Sequence, residues 1–485
     1  MTEDQPGLPE GDAPVTFPLV PLPPTVTVSS GAPTPVDART QLRAPEGLAQ
    51  VAAIMLGLSA QSDDGAPVAD QSTSPSVVVL EEKESDGEAY LLRAGDGRVE
   101  LTGGRLGLLR GLATLVQLRD LDLPEAAPGA VPGVEIEDRP RLAHRGLMVD
   151  ISRHFFGPAT LTKVIDLMAS YKLNVLHLHL SDDQGWRIEV PGRPELTEIS
   201  GATQVGEGPG GYLSTEEFRD LVAYADARGI VVVPEIDMPG HVNAAQHAIG
   251  ALTETGEPTE AYRGIKVGFS KLSLDNPATA PFIDDVLGHL ATLVNGPYLH
   301  AGGDEVHTMP REEYVAFVQH LTDAVARTGK TPMMWGEAAA APLPEGAVVQ
   351  LWDSGVDPAP VAEAARAGAQ VVLSPGNRVY LDMKYYEDFP LGLHWAGCVE
   401  VRDSYDWDPQ AYLDGVPAEA VRGVEAALWT ETILTEDDLF TMLLPRLAAV
   451  AEVGWTAQEQ RDWEVFVPRL RAHAPLWDAK GLAYH

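Results

Sequence analysis

Two adjacent carboxylates, Asp304 and Glu305, follow a short apolar run that breaks at Gly302 and Gly303. Taken alone, Gly-Gly-Asp is ordinary turn composition. The same residues suit catalysis if a strand ends there, because glycine admits close approach of backbone and ligand and paired acids can move protons. Other polar residues sit just past similar apolar runs: Asp150, Ser152 and Arg153; Ser181, Asp182 and Asp183; Glu235, Asp237 and His241; Asp353; Asp382; and Glu431. A lone acid in such a place is usually solvated or caps a helix. So many together point to one shared pocket. Aromatic residues accompany them, with Trp335, Trp352, Trp395 and Trp429 near predicted strand ends or loops. Tyr380-Leu381-Asp382 and Trp429-Thr430-Glu431 each set an aromatic ring and a carboxylate two residues apart, on one side of an extended chain. A pyranose needs such a platform for its C–H face and carboxylates for its hydroxyls. A sugar is therefore favoured over simple core packing. The rival chemistry is a metal, since His300 and His307 flank Asp304 and His177-Leu178-His179 carries two imidazoles. No His-Glu-x-x-His occurs, and histidines inside a strand run read as core, so no metal or other cofactor is expected.

The elements that must position these residues are regular from Pro140 onward. Strand-like runs occur at 146–151, 174–180, 230–236, 297–301, 333–335, 348–352, 370–373 and 424–429, with helical patterns at 161–171, 215–228, 278–293, 311–328 and 361–367. Eight strands alternating with helices predict a (β/α)8 barrel, whose C-terminal strand ends converge on one face. A doubly wound open sheet is the competitor, but no Gly-x-Gly-x-x-Gly turn follows the first strand. Before the barrel, residues 14–139 read as a small α+β domain without clustered chemistry. It has strands near 76–80, 89–93 and 98–102, an Asp96-Gly97 turn, and a leucine-rich helix at 104–118. Asp138-Arg139-Pro140 marks its boundary with the barrel at 140–485. Residues 1–13 read as an acidic, disordered tail.

Composition removes several classes of partner. With 71 acidic against 34 basic residues the net charge is −37, which disfavours nucleic acid and anionic membranes. The single Cys398 rules out an intramolecular disulfide or multi-cysteine metal site. No stretch approaches membrane-spanning length. The acidic start lacks the basic and apolar regions of a secretory signal, which predicts a cytoplasmic protein, with export by another route left open.

The run His-Ala-Gly-Gly-Asp-Glu at 300–305 brings these features together. With it stand Arg-His-Phe-Phe at 153–156, Leu-His-Leu-Ser-Asp-Asp-Gln-Gly-Trp-Arg at 178–187, Pro-Glu-Ile-Asp-Met-Pro-Gly-His at 234–241 and Leu-Trp-Thr-Glu at 428–431. Together they resemble the family 20 glycoside hydrolases, the β-N-acetylhexosaminidases. The resemblance runs from about residue 14 to the end, and the small first domain looks like that family's non-catalytic domain. It implies release of terminal β-linked GlcNAc or GalNAc from oligosaccharides or glycoconjugates, with retention, the substrate's own 2-acetamido oxygen attacking C1. Asp304 would stabilise the acetamido group and Glu305 would serve as acid and then base. By the same resemblance Arg153, Asp382 and Glu431 bind ring hydroxyls and Tyr380 orients the acetamido carbonyl. Trp335, Trp352 and Trp429 wall the pocket, Trp395 lies nearer the leaving group, and Asp182 with His241 supports the acid. Proximity of the two acids is expected to keep Glu305 protonated. A carbohydrate-binding protein without turnover is the alternative from another class; the intact acid pair argues against it. Oligomeric state is not legible.

Overall fold

Strands whose two faces are both covered carry nearly continuous apolar sequence, and the chain from residue 144 onward is built of them. The computed structural model describes residues 17–58, 76–85, 87–355 and 357–485; the tail at 1–13 lies outside the described residues. β1 (Thr25–Val28), β3 (Gln41–Arg43), β4 (Val77–Glu82), β5 (Tyr90–Gly95), β6 (Arg98–Gly103) and β8 (Val134–Asp138) form a six-stranded sheet in the order β1-β8-β5-β6-β4-β3. Beside it β2 (Thr34–Pro35) pairs with β7 (Ala130–Val131). Asp96 and Gly97, both at positive φ, turn the chain from β5 into β6 as their types predict. The helix Arg105–Asp120 buries Leu108, Leu109, Leu112, Leu115 and Leu118 against this sheet.

The same helix ties the sheet domain to the larger second domain. Arg110 donates to the carbonyls of Arg228 and Gly229 at 3.2 and 2.6 Å, and Gln117 to that of Ser170 at 2.9 Å. Glu88 accepts from Arg110 at 2.7 Å and from Arg145 at 2.6 Å. Burial alone would raise Glu88, but the Arg145 and Arg110 guanidiniums outweigh it and hold the carboxyl down to about 2. At the end of β8, Asp138 accepts from Tyr90, from the buried Lys172 ammonium and from the Trp455 indole, at 2.5, 2.6 and 2.7 Å.

β9 (His144–Asp150), β10 (Val175–His179), β11 (Val231–Glu235), β12 (Tyr298–His300), β13 (Thr331–Trp335), β14 (Val348–Leu351), β15 (Gln370–Leu373) and β16 (Val421–Leu428) close into an all-parallel barrel, β16 pairing with β9 from Gly423↔His144 to Leu428↔Val149. Helices cover its outside; Thr215–Asp226, for example, starts on a capping box between Ser214 and Glu217. Because side chains alternate along a strand, the interior is layered. Val175, Val233, Met333, Val348 and Val372 fill one apolar layer. Two residues further along the same strands come His177, Glu235, Trp335 and Gln350, a polar layer where aliphatic residues are usual. A cavity of about 1090 Å³ lies at the junction of the two domains and is lined by none of the strand-end acids. The chemistry sits elsewhere.

Candidate active site

The end of β12 is shaped by its glycines. Gly302 has φ 69°, and a Cβ there would fall 1.7 Å from Asp237 Oδ1. Gly303, at φ 111°, donates its N–H to that same oxygen at 3.0 Å. Only glycine lets the chain pass beneath Asp237 and deliver Asp304 and Glu305 to the barrel mouth. Glu305 itself has φ 50° and His241 φ 55°, a region that side-chain-bearing residues seldom occupy. Backbone strain therefore gathers at two candidate site residues.

The neighbouring acids differ in setting. Asp304 is buried, with Oδ1 unpartnered, whereas Glu305 is partly open to solvent. Burial and the facing carboxyl of Asp237 push Asp304 well above the usual carboxylate range. Burial likewise raises Asp237 to about 7, against the opposing pull of His241. Asp304 is thus raised first by burial, then by Asp237, with the charge of its chain neighbour Glu305 a lesser contribution in the same direction. His241 stands among them, its Nε2 at 3.5 Å from Glu305, 3.9 Å from Asp304 and 4.0 Å from Asp237. Burial would strip its proton, yet Asp182 and Asp237 hold it as an imidazolium, raised well above the ordinary value. Asp182 is 3.2 Å from His241 Nδ1, 2.7 Å from Arg153 and 2.8 Å from His179. Although burial opposes it, these cations keep Asp182 ionised.

The structure brings Arg153, Asp182, His241, Asp304, Glu305, Trp352, Tyr380, Asp382, Trp395, Trp429 and Glu431 around one pocket of about 400 Å³. Arg153 lies over the Trp429 ring at 4.8 Å. Tyr380 is stacked with Trp352 at 6.4 Å, and Trp395 meets both edge-on at 5.7 Å. Both oxygens of Asp382 and Oε2 of Glu431 are buried without a hydrogen-bond partner. Burial raises both carboxyls, Glu431 against the pull of Arg153. Such unpartnered acceptors suit a ligand rich in hydroxyls.

Three placements differ from the sequence reading. Trp335 is fully buried behind Trp429, 5.9 Å between rings, with its indole N–H donated to Glu235 at 2.7 Å; it does not line the pocket. Tyr380 and Asp382 do not end a strand. They follow the short helix Gly376–Val379, and Leu381 N–H bonds to the Ala427 carbonyl at 2.7 Å. Asp150, Asp183 and Glu235 do not face the pocket: Asp150 accepts from the backbone of Ser152, Arg153 and Thr430, Asp183 from Asn243 and Ser270, and Glu235 from the interior imidazoles. One residue was passed over, Glu337, which accepts from the Trp352 indole, and Asp237 was read among the strand-end residues but not as the partner of Asp304. Trp335-Gly336-Glu337 has the same aromatic-x-carboxylate spacing as Tyr380 to Asp382, the signal that could have found it.

Three clusters, His177 with Glu235 and His300, Asp182 with Asp183 and His241, and Asp237 with His241 and Asp304, are close enough to hold an ion. Neighbouring carboxylates hold His177 and His241 as cations, whereas burial pushes His300 down and leaves its Nε2 unpartnered. His177 lies 2.9 Å from Glu425 and 3.0 Å from Glu235, and these carboxylates outweigh burial and raise it to about 9. A protonated imidazole has no lone pair for a metal.

Comparison with known proteins gives the family. The model of "Glycosyl hydrolase family 20, catalytic domain" matches residues 142–313 and 308–458, and that of "Glycosyl hydrolase family 20, domain 2" matches 16–139. A β-N-acetylhexosaminidase of Cellulomonas fimi is 48% identical over 481 residues, covering 96% of this chain and 95% of that protein. The Streptomyces plicatus N-acetyl-β-hexosaminidase, solved in complex with Thio-NAglucal, superposes with a TM-score of 0.89 at 43% identity over 98% of each chain. An exo β-N-acetylglucosaminidase of Vibrio harveyi, solved with N-acetylglucosamine, gives 0.83 at 30% identity over 99% of this chain and 81% of its own. The chain belongs to glycosyl hydrolase family 20 and is a glycoside hydrolase of the β-N-acetylhexosaminidase type.

Proposed function

We propose that the enzyme removes terminal, non-reducing β-linked GlcNAc or GalNAc with retention, the 2-acetamido oxygen of the substrate acting as nucleophile. The observation that carries this reading is the unequal setting of two consecutive acids. Asp304 lies deep beside Asp237 and the aromatic wall, while Glu305 lies toward solvent within reach of His241. Environments that separate two acids assign them separate tasks. A conventional retaining pair flanks the sugar with carboxyls about 5 Å apart, one of them the nucleophile; chain neighbours more naturally reach adjacent atoms on one side of it. In this reading Asp304 accepts from the acetamido N–H, the developing oxazolinium charge offsetting the burial that raises it and favouring its carboxylate, and Glu305 protonates the leaving oxygen and later deprotonates water. Arg153, Asp382 and Glu431 take ring hydroxyls. Trp395, 54% exposed at the mouth with Ile265 and Val267, offers apolar surface to the leaving group. The intramolecular nucleophile contributes an effective molarity no external one can match. Assay of p-nitrophenyl β-N-acetylglucosaminide beside the matching β-glucoside tests this. The glucoside is expected to react at least about 1000-fold more slowly. Comparable rates would sink substrate assistance, and no turnover of either would favour a binding protein.

A further inference from the structure

We propose that Glu337 is the positioning residue that sets the size of the N-acyl pocket, by holding the Trp352 indole against the catalytic cavity. This rests on the reading above, in which Trp352 walls the acetamido site. The indole N–H of Trp352 points at both carboxyl oxygens of Glu337, at 3.1 and 3.2 Å. Glu337 leaves the end of β13 in a short 3-10 helix, Gly336–Ala340, so the barrel wall fixes its place. On the pocket side the indole meets Tyr380 and Trp395. Behind it lies a second cavity of about 430 Å³, bordered by Tyr314, Glu337, Leu351 and Trp352. Trp352 and Glu305 border both spaces, so the indole is a partition. Close packing normally fixes a core ring by contact on both faces. Here one side has room, and the hydrogen bond to Glu337 supplies the missing restraint. Burial and the nearby Asp304 push Glu337 up to about 8, opposed by its own N–H, the Trp352 indole and the Glu305 backbone N–H. At neutral pH it is then an uncharged acid whose carbonyl oxygen still accepts from the indole.

The consequence is specificity. One extra methylene in a well-bounded apolar site costs roughly tenfold or more, so a fixed partition should reject an N-propionyl substrate that a movable one admits. The experiment compares kcat/KM for N-acetyl and N-propionyl aryl β-glucosaminides in wild type, Glu337→Ala and Glu337→Gln, with a thermal melt for each. Glu337→Ala is expected to shrink the N-acetyl preference by about fivefold or more, chiefly through a weaker KM for the N-acetyl substrate. Glu337→Gln, which still offers a carbonyl, is expected to keep the wild-type ratio. A general structural loss would slow both substrates alike. A folded Glu337→Ala with an unchanged ratio, or a Gln variant shifted as far as Ala, would overturn the proposal. If Glu337→Ala does not fold, Trp352→Phe removes the same hydrogen bond from the other end; it should shrink the ratio too, and an unchanged ratio there is equally fatal. The wild-type comparison of 2-acetamido with 2-hydroxyl substrates separates the two levels. If that discrimination is missing, the acetamido reading fails; if it is present and only the N-acyl ratio resists mutation, the Glu337 assignment fails alone.

Discussion

Asp304 and Glu305 are chain neighbours with side chains 9% and 24% exposed, one beside a carboxyl and the other beside an imidazolium. If Glu305 donates the proton, Glu305→Gln should slow alkyl or sugar leaving groups by about 100- to 10,000-fold, and activated nitrophenyl groups far less. If Asp304 stabilises charge at the acetamido group, Asp304→Asn should slow both kinds by similar factors, about 100- to 1000-fold. A plot of log kcat/KM against leaving-group pKa for the two variants decides it, and equal slopes would mean that the roles are not separate. At this scale most of the pocket was legible, because sugar chemistry demands residue types that stand out, paired acids and aromatics two apart. Glu337 was not read as part of it, and Asp237 was read there without its pairing to Asp304, since such parts depend on burial and on contacts across loops that no spacing encodes. Trp335 was assigned to the wall because an indole at a strand end looks the same whether its ring faces the cavity or, as here, the layer beneath.

Strands and their order were legible for a different reason: parallel strands covered on both faces need unbroken apolar runs, and eight such runs leave few architectures. The polar interior was less so, because alternation says which residues point inward but not which imidazole meets which acid. That interior is continuous: His144 bonds Glu425 at 2.7 Å, Glu425 bonds His177, Glu235 lies between His177 and His179, and His179 reaches Asp182 under the pocket. Against the cost of burial, Glu235 and Glu425 raise His177 to about 9, and Glu235 with Asp182 raises His179 to about 10. Against the same cost, His177 and His144 hold Glu425 at about 2. A histidine raised on folding stabilises fully below its unfolded value of about 6.5, and that contribution is lost as pH climbs through 9 and 10. A depressed glutamate stabilises above about 4.5, and its share is lost as pH falls toward 2. Asp237 and Glu337, raised to about 7 and about 8 by burial, begin the loss earlier, as pH climbs from about 4 through those values. The melting temperature should therefore be highest near about pH 4.5, decline through neutrality to about 9, and level off above about 10, where folded and unfolded imidazoles are alike. A flat profile from pH 6 to 10 would contradict these pairings. Since the imidazoles answer to carboxylates, activity is expected to survive exhaustive EDTA treatment. Activity lost to EDTA and restored by zinc would overturn this expectation and place a metal at one of the three clusters.

For the whole molecule the question is whether the barrel stands without the sheet domain. The family models meet near residue 140, one ending at 139 and the other beginning at 142, so a fragment from Pro140 onward holds every residue around the pocket. It would nevertheless lose Asp138 and Glu88. Lys172 and Arg145 are buried, and those two carboxylates are their partners across the junction. Burial already depresses both cations, more than the partners restore. Removing one partner of a buried pair costs about 3–5 kcal/mol, and a folded domain has only about 5–15 kcal/mol in hand. Trp455 would also lose its cover, since it packs into the core of the sheet domain and its indole N–H donates to Asp138. The 140–485 fragment is accordingly expected to be insoluble or to melt well below the full chain. The single change Asp138→Ala should reproduce much of that loss, about 3–5 kcal/mol in urea, and should leave KM unchanged in whatever fraction stays folded, because the junction lies away from the pocket. A soluble 140–485 fragment with full activity and an unaltered melt would show that the first domain is an appendage, and that the buried cations at the junction find water or other partners without it.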